Sequence, residues 1–370
     1  MKITDITAAP LLMASSNQPM TFFVVRVTTD DGRTGHGEAC DCFGVSHPTV
    51  LARIVEDVFA PALVGTEVGA GGPAVEPVLA ATRRTLGGGT VAAQARSAVA
   101  IALTDLAAQA AGVSVSAAAG RVRDDVRVYV GSSPFLESGP AAQHLDRLAP
   151  ALERGVDMVK MRIGLDWRAA LRVLAELRGL LGNDVEVAVD ASEFFTLADA
   201  LGIADGLADL DIAWLEEPLP YEQRGAIAEL ARRTRVPIAY GEHLFTVGEA
   251  AEALAGGVTV VQPDASICGG IEPARAVAAL AAATGARAVG HHHGGVVSMA
   301  ANLHVAASSP GIDVLEFPVH LDPLLRDSAG LDLGLSAIVG GRLPVPTGRG
   351  LGVTLDPGFL DRAALPVGGR

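Results

Sequence analysis

Cysteine is nearly absent from this 370-residue chain, which has three: Cys40, Cys42 and Cys268. That number and placement exclude a disulfide framework and make a reducing cytosol the expected compartment. Positive charge is also scarce, with 28 Lys and Arg against 42 Asp and Glu and a formal net charge of −14. No basic block stands out, which excludes nucleic acid and an anionic membrane surface as partners. Long apolar runs are missing as well. The N-terminal MKITDITAAPLL has no extended apolar stretch and is not expected to be a signal peptide. The longest span candidate, Ala92 to Gly120, is interrupted by Arg96 and Asp105 and is rich in weakly apolar Ala, so a buried helix is expected there. Aromatic residues make up 4% and charged residues 19%, the latter below the ~25% usual in soluble domains, while 49% is hydrophobic. The apolar mass is Ala, Leu, Val and Gly, which suits close-packed helices and buried parallel strands and does not suit disorder.

At ~150 residues per domain the length allows two to three units, or one barrel of ~250 residues with an extra part. Residues 1–120 read as an α+β unit. Phe22 to Thr28 is a β-rich run, Asp30-Asp31-Gly32-Arg33 is turn chemistry, and a short strand leads into Gly37-Glu38-Ala39, a small antiparallel meander. From Pro48 to Val115 the apolar spacing turns helical. Gly87-Gly88-Gly89-Thr90 lacks the Lys and the spacing of a phosphate loop and reads as a plain loop. Cys40-x-Cys42 reads as two small packing residues. Residues 121–330 alternate apolar runs such as Val126 to Val130, Met158 to Ile163 and Val185 to Val189 with helical stretches such as Trp167 to Leu181 and Arg224 to Arg233. At least seven such βα repeats predict a parallel barrel, its strands buried on both faces. Residues 331–370, rich in Gly and Pro, are expected to pack back on the N-terminal unit.

Polar residues interrupt this pattern at the strand ends. Successive runs finish in Asp190, Glu216, Glu242, Asp264, His291 and Glu316, separated by 26, 26, 22, 27 and 25 residues. That spacing is close to one βα repeat, so each side chain is expected at the C-terminal mouth of its strand, where barrel active sites are built. Asp190, Glu216 and Glu242, on consecutive strands, repel one another in a desolvated pocket unless a cation lies among them. A hard, oxygen-ligated divalent ion resolves the conflict, and Mg²⁺ suits carboxylate donors with room for water or substrate oxygens. The alternative is that each carboxylate pairs with a basic neighbour. In Glu216-Glu217, strand alternation sends only one side chain toward the axis.

Asp264 and His291 end adjacent strands, within hydrogen-bonding reach, where the carboxylate would fix the imidazole tautomer and make His291 a general base. The competing reading puts His291, His292 and His293 in a solvated loop, or in a soft-metal site with Cys40 and Cys42 that lacks tetrahedral ligand spacing. Lys160 and Arg162 share one side of their strand and, with the metal, would make a pocket attractive to a small carboxylate substrate. Ion pairing of these two cations with barrel carboxylates is the alternative.

These residues, in this order, resemble the enolase superfamily and within it the mandelate racemase subgroup, over nearly the whole length. The resemblance is carried by Ser97 to Leu106, Val159-Lys160-Met161-Arg162-Ile163-Gly164, Val189-Asp190-Ala191, Trp214-Leu215-Glu216-Glu217-Pro218 and Gly241-Glu242-His243. It continues through Gln262-Pro263-Asp264, Cys268-Gly269-Gly270-Ile271, His291, Leu315-Glu316 and Gly350-Leu351-Gly352-Val353. It implies an α/β fold, a modified TIM barrel (β/α)₇β with an α+β capping domain, and Mg²⁺ held by Asp190, Glu216 and Glu242. It further implies abstraction of the proton α to a carboxylate, an enediolate stabilised by the metal, and the His291–Asp264 dyad, with Glu316 hydrogen-bonded to the enediolate oxygen. Specificity would come from the cap segments Met13 to Met20 and Cys40 to Val50, closing as a lid. Relatives form dimers and octamers, so a homo-oligomer is expected.

Departures from the subgroup narrow the chemistry. Subgroups with two lysines place one on the sixth barrel strand, where this chain has Asp264. Where mandelate racemase has the second Lys of Lys-x-Lys as opposite-face base, this chain has Arg162, whose guanidinium stays protonated. One competent base favours β-elimination over racemisation, hence an acid-sugar dehydratase in which His291 returns its proton to the leaving hydroxyl. Ser192, where the family often has Asn, and His243, beside Glu242, are the expected substrate contacts, and His243 is also a candidate acid. A racemase or epimerase with Lys160 or His243 as second base is the runner-up. A non-enzymatic binding protein is the third reading, and it has no physical need for so charged a barrel mouth.

Overall fold

A computed structural model describes the chain apart from residues 14–19, 41–46, 70–71, 74–75, 328–329, 357, 359, 361–363 and 365–370. Most of the two expected lid segments, and Cys42, lie outside the described residues.

The cap opens with an antiparallel sheet, β1 (Ile3–Met13), β2 (Met20–Thr29) and β3 (Thr34–Ala39), in the order β1-β2-β3. Strand β2 is apolar on both faces: Phe23, Val25 and Val27 fill the cap's own core, while Phe22 and Val24 join the core of the barrel. The sheet is thus a layer between the cap helices and the barrel. Helices α1 (Pro48–Ile54) and α2 (Ala60–Leu63), the short pair β4 (Val68–Gly69) and β5 (Gly72–Pro73), α3 (Glu76–Leu86), α4 (Thr90–Ala111) and α5 (Val115–Ala118) complete the unit. Helix α4 ends at Gly112 in the left-handed region, φ 75°. It is long and apolar enough to cross a membrane, but 78% of its apolar window is buried inside the protein, as befits a core helix. Strand β3 lies so close on α4 that a Cβ on Gly37 would come within 1.8 Å of the Ala98 carbonyl oxygen, so only glycine fits.

Eight parallel strands follow: β6 (Asp125–Phe135), β7 (Met158–Arg162), β8 (Glu186–Asp190), β9 (Ile212–Glu216), β10 (Ile238–Tyr240), β11 (Val260–Val261), β12 (Arg287–Gly290) and β13 (Ile312–Pro318). Each pairs with the next, and β13 pairs back on β6 with Leu315 opposite Val128, closing the barrel. Seven helices connect them: α6 (Ala141–Leu152), α7 (Trp167–Leu181), α8 (Leu197–Leu207), α9 (Arg224–Arg233), α10 (Val247–Ala255), α11 (Ile271–Thr284) and α12 (Val296–Ala307). The fold is therefore (β/α)₇β with a separate antiparallel cap. Side-chain caps start several helices: Asp166 accepts from Ala169 N, Thr196 from Asp199 N and Thr246 from Glu249 N.

After α13 (Asp322–Asp327), the chain adds β14 (Arg342–Pro344) antiparallel to β6. It then reaches the cap, where the buried Asp105 of α4 accepts from Leu351 N at 2.8 Å and from His36 N of β3 at 3.0 Å. The C-terminal segment so touches barrel and cap in turn.

The inner wall of the barrel is what positions the site. One inward layer is Tyr129, Met158, Ala188, Trp214, Ala239, Val260, Val289 and Val314, one residue from each strand and all buried. Two residues further along each chain segment, on the same face by strand alternation, stand Gly131, Lys160, Asp190, Glu216, Gly241, Gln262, His291 and Glu316. A mostly apolar plug is directly overlaid by an ionisable ring.

Candidate active site

Lys160, Asp190, Glu216, Asp264, His291 and Glu316 are all buried at the mouth, brought together from six strands as the spacing predicts. The Lys160 ammonium bridges two carboxylates, 2.5 Å from Glu216 Oε1 and 3.0 Å from Glu316 Oε1. Burial alone would lower its pKa, but Glu216 and Glu316 hold it well above the usual lysine value. The other oxygen of Glu216 accepts from Trp214 Nε1 at 2.9 Å and Gln262 Nε2 at 2.6 Å. Gln262 has room because its neighbour is Gly241, where a Cβ would lie 2.3 Å from the Gln262 Cβ. The second oxygen of Glu316 accepts from Tyr129 OH at 3.0 Å. Both Glu316 oxygens therefore receive hydrogen bonds, the posture of an anionic acceptor; hydrogen bonding to an enediolate oxygen, which the resemblance implies, requires it to carry a proton.

Arg162 sits opposite Asp190 in register, with Nε 3.2 Å from Asp190 Oδ2 and Nη2 donating to Ser192 Oγ at 2.8 Å. Ser192, in a left-handed backbone conformation at φ 48°, turns back so that its N–H and Oγ both donate to Asp190 Oδ1. The alternative in which the two cations pair with barrel carboxylates thus describes their contacts here.

The expected dyad is present: the Nδ1–H of His291 donates to Asp264 Oδ2 at 2.9 Å. Asp264 is fixed by its other oxygen, which accepts from Ser266 N, Ser266 Oγ and Asn302 Nδ2 at 2.8, 2.6 and 2.9 Å. Burial pushes the Asp264 carboxyl up, yet the His291 bond and charge hold it below the usual range. Burial pulls His291 down, and its bonds to Asp264 and Glu242 carry it well above the ordinary imidazole value. The remaining nitrogen, Nε2, faces the pocket, 3.2 Å from Glu242 Oε2 and 3.8 Å from Glu316 Oε2. Helix α12, which carries Asn302, is in turn held by the cap: Glu38 of β3 accepts from Gly295 N and, at 3.0 Å, from Ser298 N. A solvated histidine loop is thus excluded for His291, and the Sγ of Cys40 lies on the His293 carbonyl, 3.6 Å away, not on a ring.

These groups line one pocket: Gly131, Lys160, Arg162, Asp190, Glu242, His291, His293, Glu316, Pro318 and His320. Glu216 and Asp264, like Ser192 and His243, are not among its lining residues. His243 sits in a neighbouring cluster, its Nδ1 2.5 Å from Glu217 Oε2 and 3.7 Å from Glu193 Oε1, its ring stacked on Tyr221 with centroids 5.6 Å apart. His243, expected as a substrate contact, is placed in this cluster, where Glu217, at φ 39°, holds its imidazole.

The donor chemistry of the ring fits Mg²⁺. Five carboxylates, Asp190, Glu216, Glu242, Asp264 and Glu316, face three cations, Lys160, Arg162 and His291 if protonated, an excess of two negative charges. The strain is visible in Glu216, which burial and the charges of Asp190, Glu316 and Glu242 raise to about 7 in spite of Lys160. Hard oxygen donors on Asp190, Glu216 and Glu242 and two charges to balance are what a divalent magnesium ion answers.

Tyr129, Trp214 and Gln262 were missed by sequence reasoning, although the two-residue period that found Lys160 and Glu216 also marks them. Asn302 and Glu38 left no such signal.

A closed parallel barrel carrying acid, base and metal-type donors at its C-terminal mouth is the architecture of a barrel enzyme. Residues 143–359 match the family model described as enolase C-terminal domain-like, and residues 2–120 match the N-terminal domain of mandelate racemase / muconate lactonizing enzyme. The chain belongs to this family and is an enzyme of the enolase superfamily. It is 30% identical to D-galactarolactone cycloisomerase of Agrobacterium fabrum, covering 93% of this chain and 91% of that protein. It is 28% identical to arabinonate dehydratase of Saccharolobus solfataricus, over 97% and 95% of the two chains. The crystal structure of a racemase from Streptomyces coelicolor with bound magnesium is similar at TM-score 0.86 and 26% identity, over 98% and 100%.

Proposed function

We propose that this chain is a Mg²⁺-dependent, cytosolic dehydratase of an acid sugar, a carbon–oxygen lyase. The observation that carries the reading is that His291 turns Nε2 into the pocket while the buried Asp264 holds its Nδ1, the pairing that supports a general base. Lys160 is a buried cation clamped by Glu216 and Glu316, Arg162 is engaged by Asp190 and Ser192, and His243 is held in the neighbouring cluster. With the dyad as the base, a proton removed from the α-carbon by His291 returns to the same face, or to a leaving group on it, which favours elimination over inversion.

Asp190, Glu216 and Glu242 would hold the ion, and a Mg²⁺ there would supply the positive charge that makes the α-proton of a bound carboxylate acidic. Lys160 and Arg162 add fixed positive charge to the pocket floor, which attracts and orients the substrate carboxylate. His291 Nε2 takes the α-proton while Asp264 holds the ring and stabilises its cationic form. The same Nε2–H then donates to the departing 3-hydroxyl, which leaves as water, and the enol product tautomerises to a 2-keto-3-deoxy acid. The support is this geometry together with a dehydratase among the similar proteins.

The racemase reading draws support from the magnesium-bound racemase among the similar structures and from a racemase among the similar proteins. Incubation with Mg²⁺ and a panel of aldonates and aldarates, with semicarbazide detection of 2-keto products, tests the proposal. No product from any member counts decisively against it.

A further inference from the structure

The proposed chemistry uses the floor and one wall of the pocket and leaves the outer wall unexplained. The lining residues left over are His293, Pro318 and His320. His293 follows His291 in the loop after β12, and His320 follows β13, so the same two strand ends that supply His291 and Glu316 each add a further imidazole. Their ring centroids are 4.8 Å apart and tilted by 41°. His293 is half-buried; His320 is open to solvent, and its nitrogens meet no hydrogen-bond partner among the described residues.

Two imidazoles this close to each other and to Arg162 cannot both be protonated. Burial of part of the ring, with the charge of Arg162 and against that of Glu316, lowers His320 below the ordinary imidazole value although the side chain reaches solvent. Burial, with His320 beside it, takes His293 well below the ordinary value. A neutral imidazole donates through one nitrogen and accepts through the other, which matches a hydroxyl and gives no charge to a second carboxylate. The pocket's cations are already engaged, Lys160 by Glu216 and Glu316 and Arg162 by Asp190 and Ser192.

We propose that His293 and His320 form a subsite for the distal hydroxyls of the substrate, and that the enzyme prefers aldonates, with one carboxylate, over aldarates, with two. The proposal rests on the dehydratase reading above.

The test compares kcat/KM of the Mg²⁺-loaded protein for aldonates and aldarates matched in carbon number and stereochemistry. It repeats the comparison with His320→Phe and His320→Gln, and with a 2,3-dihydroxy acid that lacks the distal hydroxyls. The subsite predicts that aldonates are preferred by at least about 10-fold. His320→Phe should raise KM for the aldonate about 3- to 10-fold with little change in kcat. His320→Gln, which keeps a donor and an acceptor, should recover most of that loss, and the truncated acid should be indifferent to both changes. Aldarates used as well as aldonates, or a KM for the aldonate that ignores His320→Phe, overturns the subsite and leaves the dehydratase reading standing. Absence of both turnover and α-proton exchange with every sugar acid removes the dehydratase reading and the subsite with it.

Discussion

His291 and His243 both follow barrel strand ends, and each has Nδ1 on a buried carboxylate, Asp264 at 2.9 Å and Glu217 at 2.5 Å. Both imidazoles are raised above the ordinary value: burial opposes the rise in each case, and the carboxylate partners overcome it. They differ in what surrounds the rest of the ring. His291 turns Nε2 into the pocket, toward Glu242 Oε2 at 3.2 Å, and the back of Asp264 is locked by Ser266 and Asn302. His243 has a second carboxylate, Glu193, near the same nitrogen and Tyr221 stacked on its face. A histidine–carboxylate bond with a raised pKa is therefore not sufficient for a catalytic dyad; the second nitrogen must be aimed into the substrate pocket.

The sharpest way to break this comparison is to remove each ring. His291→Asn is expected to lower kcat by about 10²–10⁴-fold and to abolish α-proton exchange, with circular dichroism unchanged. His243→Asn is expected to cost less than about 10-fold. Equal losses would mean that the two pairs share one role. Next in size is Lys160→Met, which leaves Glu216 and Glu316 facing each other in the buried ring. Loss of a buried partner should destabilise the protein by about 3–5 kcal/mol in denaturant unfolding. A change below about 1 kcal/mol would show that the carboxylates do not depend on this cation.

Asn302→Ala takes one of three donors from Asp264 Oδ1 and is expected to cost about 1–3 kcal/mol in stability. As a positioning residue it should lower kcat with KM nearly constant, and Asn302→Ser, able to keep a donor, should restore part of the rate. A variant with parental kcat would show that Ser266 alone fixes the dyad.

The smallest effect concerns the second pair. Burial opposes it, but Glu217 holds His243 at about 10 in the folded, metal-free protein against an ordinary 6.5. The stabilisation from this pair is thus fully present below pH 6.5 and is lost as pH rises through about 10. In EDTA, urea unfolding of the parent should weaken over that interval, and His243→Gln should flatten the slope. Parallel curves for the two proteins would dissolve the pair.

The difference between the two histidines was not legible in the sequence, and the reason is physical. Strand alternation places Lys160, Asp190, Glu216, His291 and Glu316 on the inner face, because each stands two residues beyond an inward apolar one. Once the strand ends, the period no longer applies: Glu217 and Ser192 adopt φ of 39° and 48°, and their side chains go where the turn sends them. His243 follows Glu242 in such a turn, so its partner depended on a backbone conformation with no sequence period. Glu38 was beyond reach for another reason, since it meets Ser298 across 260 positions of sequence and belongs to the cap. The barrel, its seven helices and the ring of strand-end groups were legible because a repeat of about 25 residues carries them.

The central claim, elimination driven by one base, is tested most directly by running the Mg²⁺-loaded enzyme on a turned-over sugar acid in D₂O and following Cα and C3 by NMR. The account predicts loss of the 3-hydroxyl to a 2-keto-3-deoxy acid, with recovered substrate keeping its configuration at Cα. Deuterated substrate of inverted Cα configuration that retains its 3-hydroxyl would contradict it.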